Sequence, residues 1–393
     1  MLGIGFVVRV TEVTFWLCGG LVAYTYIGYP LLMWALSRLF GARRTPVSTP
    51  RDWPSMSVVI AAHNEESVIG DRIANLLALD YPADKLEIVI ASDGSTDRTC
   101  AIVRTFKASN VRLLAFRSNR GKAAVLNHAV RAARGEIILL SDANTRMEVD
   151  AAKRLARWFS DPRVGVVCGR LVLVDHASGE NADGAYWKYE TFLKECEARL
   201  GSLLGANGAI YAIRKANYPR LPPRTVVDDF VIPLLARLAS DGRIEFDRDA
   251  VAFEETPAHI RSEFHRRSRI GAGGFQSLSL LWPLLNPARG WIALSFASHK
   301  VCRWLCPFFL VGVLVTSAAL NGDPWYRMAL AIQLALYAAA SAGYLWPTAS
   351  SSLRIAKLLV MFVAMNLALL VGFFAWAAGR QTGTWTRTAR AGS

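Results

Sequence analysis

Apolar and polar positions divide this 393-residue chain into zones of different kind. Residues 13–37 form an apolar run with no charge inside it, long enough at about 1.5 Å per residue to cross the hydrocarbon core of a bilayer. Apolar stretches return at residues 304–320, 325–346 and 358–378, separated by short turn-rich breaks such as Asn321-Gly322-Asp323-Pro324. Between the first run and the later ones the pattern changes to β and α in turn. Short β-branched runs at 57–62, 86–91, 111–116 and 136–140 predict strands. Helical spacing predicts a helix through Leu79, one opening at Ser95 or Thr96, one over 122–134 and one after Met147. Such alternation implies an α/β domain with a mainly parallel sheet covered by helices. Pro46, Pro50 and Pro54 mark the linker into it, and no internal repeat is present.

Composition sharpens this picture. The 53% hydrophobic content is high for a wholly soluble protein, so the chain reads as a multi-pass membrane protein. The alternative for the first run is a secretory signal; its length, the lone Arg9 before it and the want of a small-residue cleavage site favour a membrane span instead. The expected domains are an amino-terminal span (1–40), a cytoplasmic catalytic domain (41–258), interfacial amphipathic helices (259–300) and a carboxyl-terminal membrane bundle with its tail (301–393). Arg38, Arg43, Arg44, Lys300 and Arg303 flank the spans and place the middle of the chain in the cytoplasm. Three further spans would send the carboxyl terminus outside, whereas Arg380, Arg387 and Arg390 favour the inside; a re-entrant late segment or an exceptional tail reconciles the two.

The net charge of +14 concentrates beside the apolar runs and around Arg261, Arg266, Arg267 and Arg269. Membrane lipid headgroups and phosphates are therefore the expected partners, and nucleic acid is not. Six scattered cysteines without a C-x-x-C pair read as small apolar side chains in a reducing compartment.

Candidate chemistry collects where apolar runs end. Asp93, Asp142 and the pair Asp228-Asp229 each follow an apolar run or open a helix, and carboxylates gathered at the carboxyl ends of strands can hold a divalent cation and take a proton. His63-Asn64-Glu65-Glu66 closes the first strand, where these residues either face a nucleotide or cap the next helix. Lys122 stands near a helix start, a poor place for a cation against the helix dipole unless it faces an anion. Gly205-Ala206-Asn207-Gly208-Ala209 permits close backbone approach, or a β-bulge. Asp228 and Asp229 stabilise a helix start, and one carboxylate beside another is also suited to act as a base. Arg266 and Arg269 share one helical face, fitting either a diphosphate clamp or a basic interfacial helix.

Taken in order, Asn64-Glu65 after the first strand, Asp93-Gly94-Ser95-Thr96-Asp97 after the second, Gly121-Lys122 with Leu126-Asn127, Asp142-Ala143-Asn144, and Val227-Asp228-Asp229 resemble the membrane-bound inverting glycosyltransferases of family 2. The resemblance covers about residues 55–280 and implies a GT-A (Rossmann-like) fold inserted between transmembrane helices. It implies that Asp93 holds a uracil, that Asn64, Glu65 and Lys122 line the donor site, and that Asp142 holds Mg²⁺ or Mn²⁺ and the pyrophosphate. Asn144 stands at the second acidic position of D-x-D, bringing an amide oxygen without charge. Asp228 and Asp229 match the last two places of T-E-D, which makes Asp229 the general base. Gly208 lies in the glycine-rich segment that approaches the acceptor. Arg266 and Arg269 match the two arginines of Q/R-x-x-R-W; Ile270 replaces its tryptophan, and Trp385 in the tail is the substitute ring.

These residues imply transfer of a sugar from a nucleotide-sugar, UDP-linked, to a growing polysaccharide, with export through the bundle, or transfer of one sugar to a membrane lipid acceptor. The expected location is the bacterial inner (plasma) membrane. A membrane-tethered nucleotide-binding or dehydrogenase domain would need a glycine-rich phosphate loop where His63-Asn64-Glu65-Glu66 stands.

Overall fold

A computed structural model describes residues 2–47, 50–174, 185–255, 260–345 and 354–380. The chain divides into two compact units. One comprises Met33–Ser262 and Gln276–Phe296; the other comprises Met1–Leu32, Glu263–Phe275 and Ala297–Arg380.

The first unit is built on an eight-stranded sheet ordered β3-β2-β1-β4-β7-β6-β8-β5. Strands β1 (Met56–Ala62), β2 (Leu86–Asp93), β3 (Val111–Phe116) and β4 (Ile137–Leu140) coincide with the predicted runs and lie parallel to one another. Beyond β4 the sheet becomes mixed. The strand β7 (Tyr211–Arg214) runs antiparallel to both β4 and β6 (Val164–Val174), β6 is parallel to β8 (Arg243–Glu255), and the two-residue β5 (Arg146–Met147) is antiparallel to β8.

Both faces of the central strands are apolar, as strands buried on both sides require. Val58, Ile60, Ile88, Ile90, Ile137 and Leu139 form one layer with Ile69, Ile73 and Leu76 of helix α3 (Ile69–Leu77). The opposite face of β1 and β2 packs against α5 (Lys122–Ala132), whose Val125, Leu126 and Ala129 are buried. Helix α4 (Thr99–Thr105) opens at Thr99, later than the predicted Ser95 or Thr96, because those side chains bond elsewhere. The remaining helices of this unit include α6 (Ala151–Ala156), α7 (Ala185–Leu200) and α8 (Asp228–Ser240).

The second unit is helical. Helix α1 (Leu2–Ala23) continues through a π turn (Tyr24–Gly28) into α2 (Tyr29–Leu39). It is followed by the central part of α9 (Ile260–Leu281), by α10 (Cys302–Ala319), α11 (Pro324–Leu345) and α12 (Arg354–Ala377). Here polar side chains bond one another: the Tyr24 hydroxyl lies 2.8 Å from Ser298 Oγ, and Asn366 Nδ2 donates to the Tyr26 hydroxyl at 3.0 Å. Four helical segments, Gly5–Leu39, Trp291–Ala319, Pro324–Leu345 and Leu358–Ala377, are long and apolar enough to cross a membrane, and each covers a predicted run. All six cysteines are free thiols.

Candidate active site

Two loops at the carboxyl ends of β1 and β2 hold each other. Asn64 adopts a left-handed conformation (φ 55°), which its short amide tolerates. Its side-chain oxygen accepts the Thr96 N–H at 2.8 Å, and its own N–H donates to Ser95 Oγ. The Glu65 N–H donates to Thr99 Oγ1, the Glu66 N–H to Asp97 Oδ2, and Glu66 Oε2 in turn accepts the Arg98 N–H. Of the two sequence readings of residues 63–66, capping is the one these bonds display, but it is crossed: Glu66 serves the start of α4, not of α3. Glu65 itself is buried.

Asp93 is fully buried, and its two carboxylate oxygens accept the N–H groups of Arg120 and Gly121 at 2.7 and 2.9 Å. Gly94 beside it has φ +65°, and a Cβ there would lie 2.5 Å from the Ser118 carbonyl carbon, so no other residue fits this turn. Anchored in this way, the 119–121 loop delivers Lys122 to the first turn of α5. The Lys122 ammonium lies 2.9 Å from Asp142 Oδ1 and 3.2 Å from Asp228 Oδ1. The anion that the sequence required for this lysine is thus a pair of carboxylates from distant parts of the chain. Burial alone would lower the lysine's pKa, but Asp142 and Asp228 together raise it. Burial is also the main force that pushes the Asp228 carboxyl up, to about 6; Lys122 opposes this, and Asp229 and Asp142 add to it.

Asp229, one residue into α8, accepts the Gly208 N–H at 3.0 Å. Pro233 sets up this contact. A helical residue at 233 would donate its N–H to the carbonyl of residue 229, and proline has none. The Asp229 carbonyl accepts the Ala206 N–H instead, at 3.0 Å. The 205–208 loop is therefore pinned to the helix start at two points. A Cβ placed on Gly208 would lie 3.0 Å from Asp142 Oδ2 and 3.5 Å from Asp229 Oδ2, so both carboxylates face the same bare stretch of backbone. Gln276 holds the approach to α8, accepting the Val226 N–H and donating to the Arg224 carbonyl.

Three further contributors were not singled out in the sequence. Arg72 is buried within the apolar face of α3; it donates to Ser141 Oγ at 2.7 Å, and Ser141 donates to the Ala209 carbonyl at 2.6 Å. This chain fixes the residue before Asp142 to the residue after Gly208. Burial lowers the Arg72 pKa to about 9, with Asp142 opposing. A lone arginine in the Ile69, Ile73, Leu76 stripe was the available signal. Tyr211 and Tyr218 carry buried hydroxyls without a hydrogen-bond partner among the described residues; burial, then the Asp228 charge, raises both pKa values.

Asn144 donates from Nδ2 to Glu254 Oε1 at 2.7 Å, which turns its amide oxygen away from that carboxylate. Among the described residues no three His, Cys, Asp or Glu side chains gather to hold a metal ion. The donor set of Asp142 with the Asn144 oxygen fits a hard cation that takes its other ligands from a bound diphosphate, as Mg²⁺ does in phosphate sites. Arg266 and Arg269 lie on α9 within the second unit, and Trp385 lies outside the described residues.

A strand-end site of carboxylates on an α/β sheet defines a class of ligand-binding fold, and comparison with known proteins makes it specific. Residues 57–216 match the model of Glycosyl transferase family 2. The beta-monoglucosyldiacylglycerol synthase of Synechocystis sp. is 26% identical over 317 residues, which cover 73% of this chain and 64% of that protein. The poly-beta-1,6-N-acetyl-D-glucosamine synthase of Staphylococcus epidermidis is 25% identical over 239 residues, covering 59% and 57%. The chain thus spans less than two thirds of the length of either relative. Among solved structures, the mannosyltransferase PcManGT from Pyrobaculum calidifontis, in complex with GDP-Man and Mn²⁺, has a TM-score of 0.72 at 21% identity, over 93% of this chain and 99% of that one. The fold is of the GT-A type, as the resemblance implied.

Proposed function

We propose that this chain is an inverting glycosyltransferase that moves a sugar from a nucleotide-sugar, UDP-linked, to a growing polysaccharide, in the plasma membrane of a bacterium with the sheet domain in the cytoplasm. The supporting observation is that Asp142 and Asp229 face one another across Gly208 while Lys122 joins Asp142 to Asp228. In this reading Asp229 takes the proton of the acceptor hydroxyl, which attacks the anomeric carbon opposite the departing phosphate and inverts it. The Gly208 N–H orients the Asp229 carboxylate for that task. Lys122 holds Asp142 and Asp228 in place and keeps two like charges together.

Three carboxylates against the Lys122 ammonium and the Arg72 guanidinium leave the pocket negative, an unfavourable setting for a donor diphosphate unless a cation accompanies it. Asp142 and Asn144 would hold Mg²⁺ or Mn²⁺, which when bound supplies positive charge to the leaving diphosphate. Donor contacts by Asn64, Glu65 and Asp93, and the diphosphate role of Arg266 and Arg269, form part of the same proposal. So does a role for Trp385 near the acceptor.

A second reading, transfer of one sugar to a membrane lipid, draws on Ile270 in place of a tryptophan and on the name of the Synechocystis relative. The deciding experiment presents purified protein with UDP-glucose, UDP-N-acetylglucosamine and GDP-mannose plus Mg²⁺ or Mn²⁺. Released nucleoside diphosphate and product length on a gel are read. A ladder of products supports polymer synthesis, a single glycolipid supports the second reading, and no release with any donor rejects both.

A further inference from the structure

Helix α3 turns one charged side chain into its apolar face, where Arg72 is 2% exposed beside Ile69, Ile73 and Leu76. Among the described residues Arg72 joins no salt bridge, and its Nε is buried without a hydrogen-bond partner. Burying a guanidinium without a paired carboxylate is unfavourable, and an apolar side chain would suit this place in the stripe. Residues that break the local pattern in this way collect at functional sites. The other two nitrogens of the fork serve one segment. Nη2 donates to Ser141 Oγ at 2.7 Å and Nη1 to Asn75 Oδ1 at 2.8 Å. Asn75, three residues on and on the same helical face, bonds both main-chain groups of Met147: its Oδ1 accepts the Met147 N–H and its Nδ2 donates to the Met147 carbonyl, each at 2.9 Å. The turn from Ser141 to Met147 carries Asp142 and Asn144. Helix α3 thus holds that turn at its first residue and its last.

We propose that Arg72 and Asn75 are positioning residues for the divalent cation: they set the span of the Ser141–Met147 turn, so that Asp142 and the Asn144 amide oxygen converge on one ion. The inference rests on the reading above that these two residues hold Mg²⁺ or Mn²⁺, and adds to it what aligns them. Neither positioning residue is itself a ligand. Arginine has no acceptor atom, and both polar atoms of the Asn75 amide are engaged with Met147. Asn144 brings no charge, so cation binding here depends on alignment more than it would with two carboxylates. The same clamp reaches the base. Ser141, held by Arg72, donates to the Ala209 carbonyl at 2.6 Å, and the residue before Ala209 gives its N–H to Asp229.

The test uses the full chain in detergent with UDP or GDP present, and reads Mn²⁺ uptake from the loss of the free-ion EPR signal. The parent is compared with Asn75→Ala and Arg72→Lys. Both variants keep the charge around Asp142 and remove only the clamp, since the point charge of a lysine cannot bond Ser141 and Asn75 as a planar fork does. The Mn²⁺ dissociation constant is expected to rise by about 10–100-fold in each, with the metal-free melting temperature lowered by a few degrees at most. Transfer at saturating Mn²⁺ is expected to return to within about threefold of the parent, the mark of a loss confined to cation binding. An unchanged dissociation constant in either variant overturns the assignment, and so does a loss of transfer that excess Mn²⁺ leaves uncorrected. The reading beneath it fails by a separate sign: a parent chain that takes up no Mn²⁺ beside either nucleotide overturns the cation site and the clamp together.

Discussion

The Lys122 ammonium lies 3.2 Å from Asp228 Oδ1, so the first turn of one helix is neutralised by the first turn of another. Removing one partner of a buried pair leaves an uncompensated charge and costs about 3–5 kcal/mol. Lys122→Met strands two carboxylates at once, Asp228 buried and Asp142 about a third exposed. We expect thermal unfolding in detergent to shift several degrees downward and transfer to fall at least a hundredfold. Retained stability in this variant would show that the pair is not a fastening of the fold.

Asp229→Asn keeps the shape of the side chain and its bond to Gly208 but removes the base. Loss of a general base lowers rate by about 10²–10⁴-fold. The transfer rate should fall by that factor, while the nucleotide dissociation constant, read by calorimetry, stays within about threefold. Full turnover in Asp229→Asn would remove the base assignment.

Pro233→Ala separates stability from activity. A proline in a helix interior is about 3 kcal/mol less favourable than alanine, so the variant should melt higher. The restored N–H at 233 then claims the Asp229 carbonyl and weakens its bond to Ala206. We expect kcat to drop at least threefold with the melting temperature raised, a combination that ordinary destabilisation cannot produce.

Asp228 predicts an unusual pH response. Its ordinary value is 3.8 and its folded value about 6, so between these the folded state keeps a proton that the unfolded chain has lost. Its contribution is complete below about pH 4 and disappears as pH rises through about 6, the reverse of a salt-bridged surface carboxylate. The shift corresponds to on the order of 3 kcal/mol. The melting temperature of the parent minus that of Asp228→Asn should therefore decline from pH 4 to pH 6; a flat or rising difference would contradict the buried-carboxyl account.

Asn144→Asp tests the cation site. The new carboxylate would face Glu254 at the 2.7 Å separation now bridged by an amide N–H, a like-charge contact that disfavours ionisation. A divalent cation relieves it. We expect lower thermal stability without metal, recovery with millimolar Mn²⁺ in excess of any recovery by the parent, and tighter Mn²⁺ dependence of transfer.

The parallel half of the sheet was legible because each strand there is a short, mostly apolar run that ends at polar residues, as at Ile60-Ala61-Ala62-His63 and Leu139-Leu140-Ser141-Asp142. The antiparallel half was not. In β8, Asp247, Arg248 and Asp249 interrupt the apolar pattern because Asp247 turns inward to Trp158 and Arg157 rather than outward to solvent. The start of α4 was misplaced for a related reason. Ser95, Thr96 and Asp97 look like caps for the helix after them, yet much of their bonding goes to residues 64–66, partners that sequence proximity cannot reveal. The carboxylates and Lys122 were legible by position; the arginine and proline that align them needed three dimensions.

The crossed bonding between residues 63–66 and 93–99 means that neither loop has a shape of its own. Grafting one loop alone from a relative would import half of a lock without its key. A chimaera should succeed only when both segments are transplanted together, which makes this pair, not either loop, the natural cassette for engineering and for inherited change.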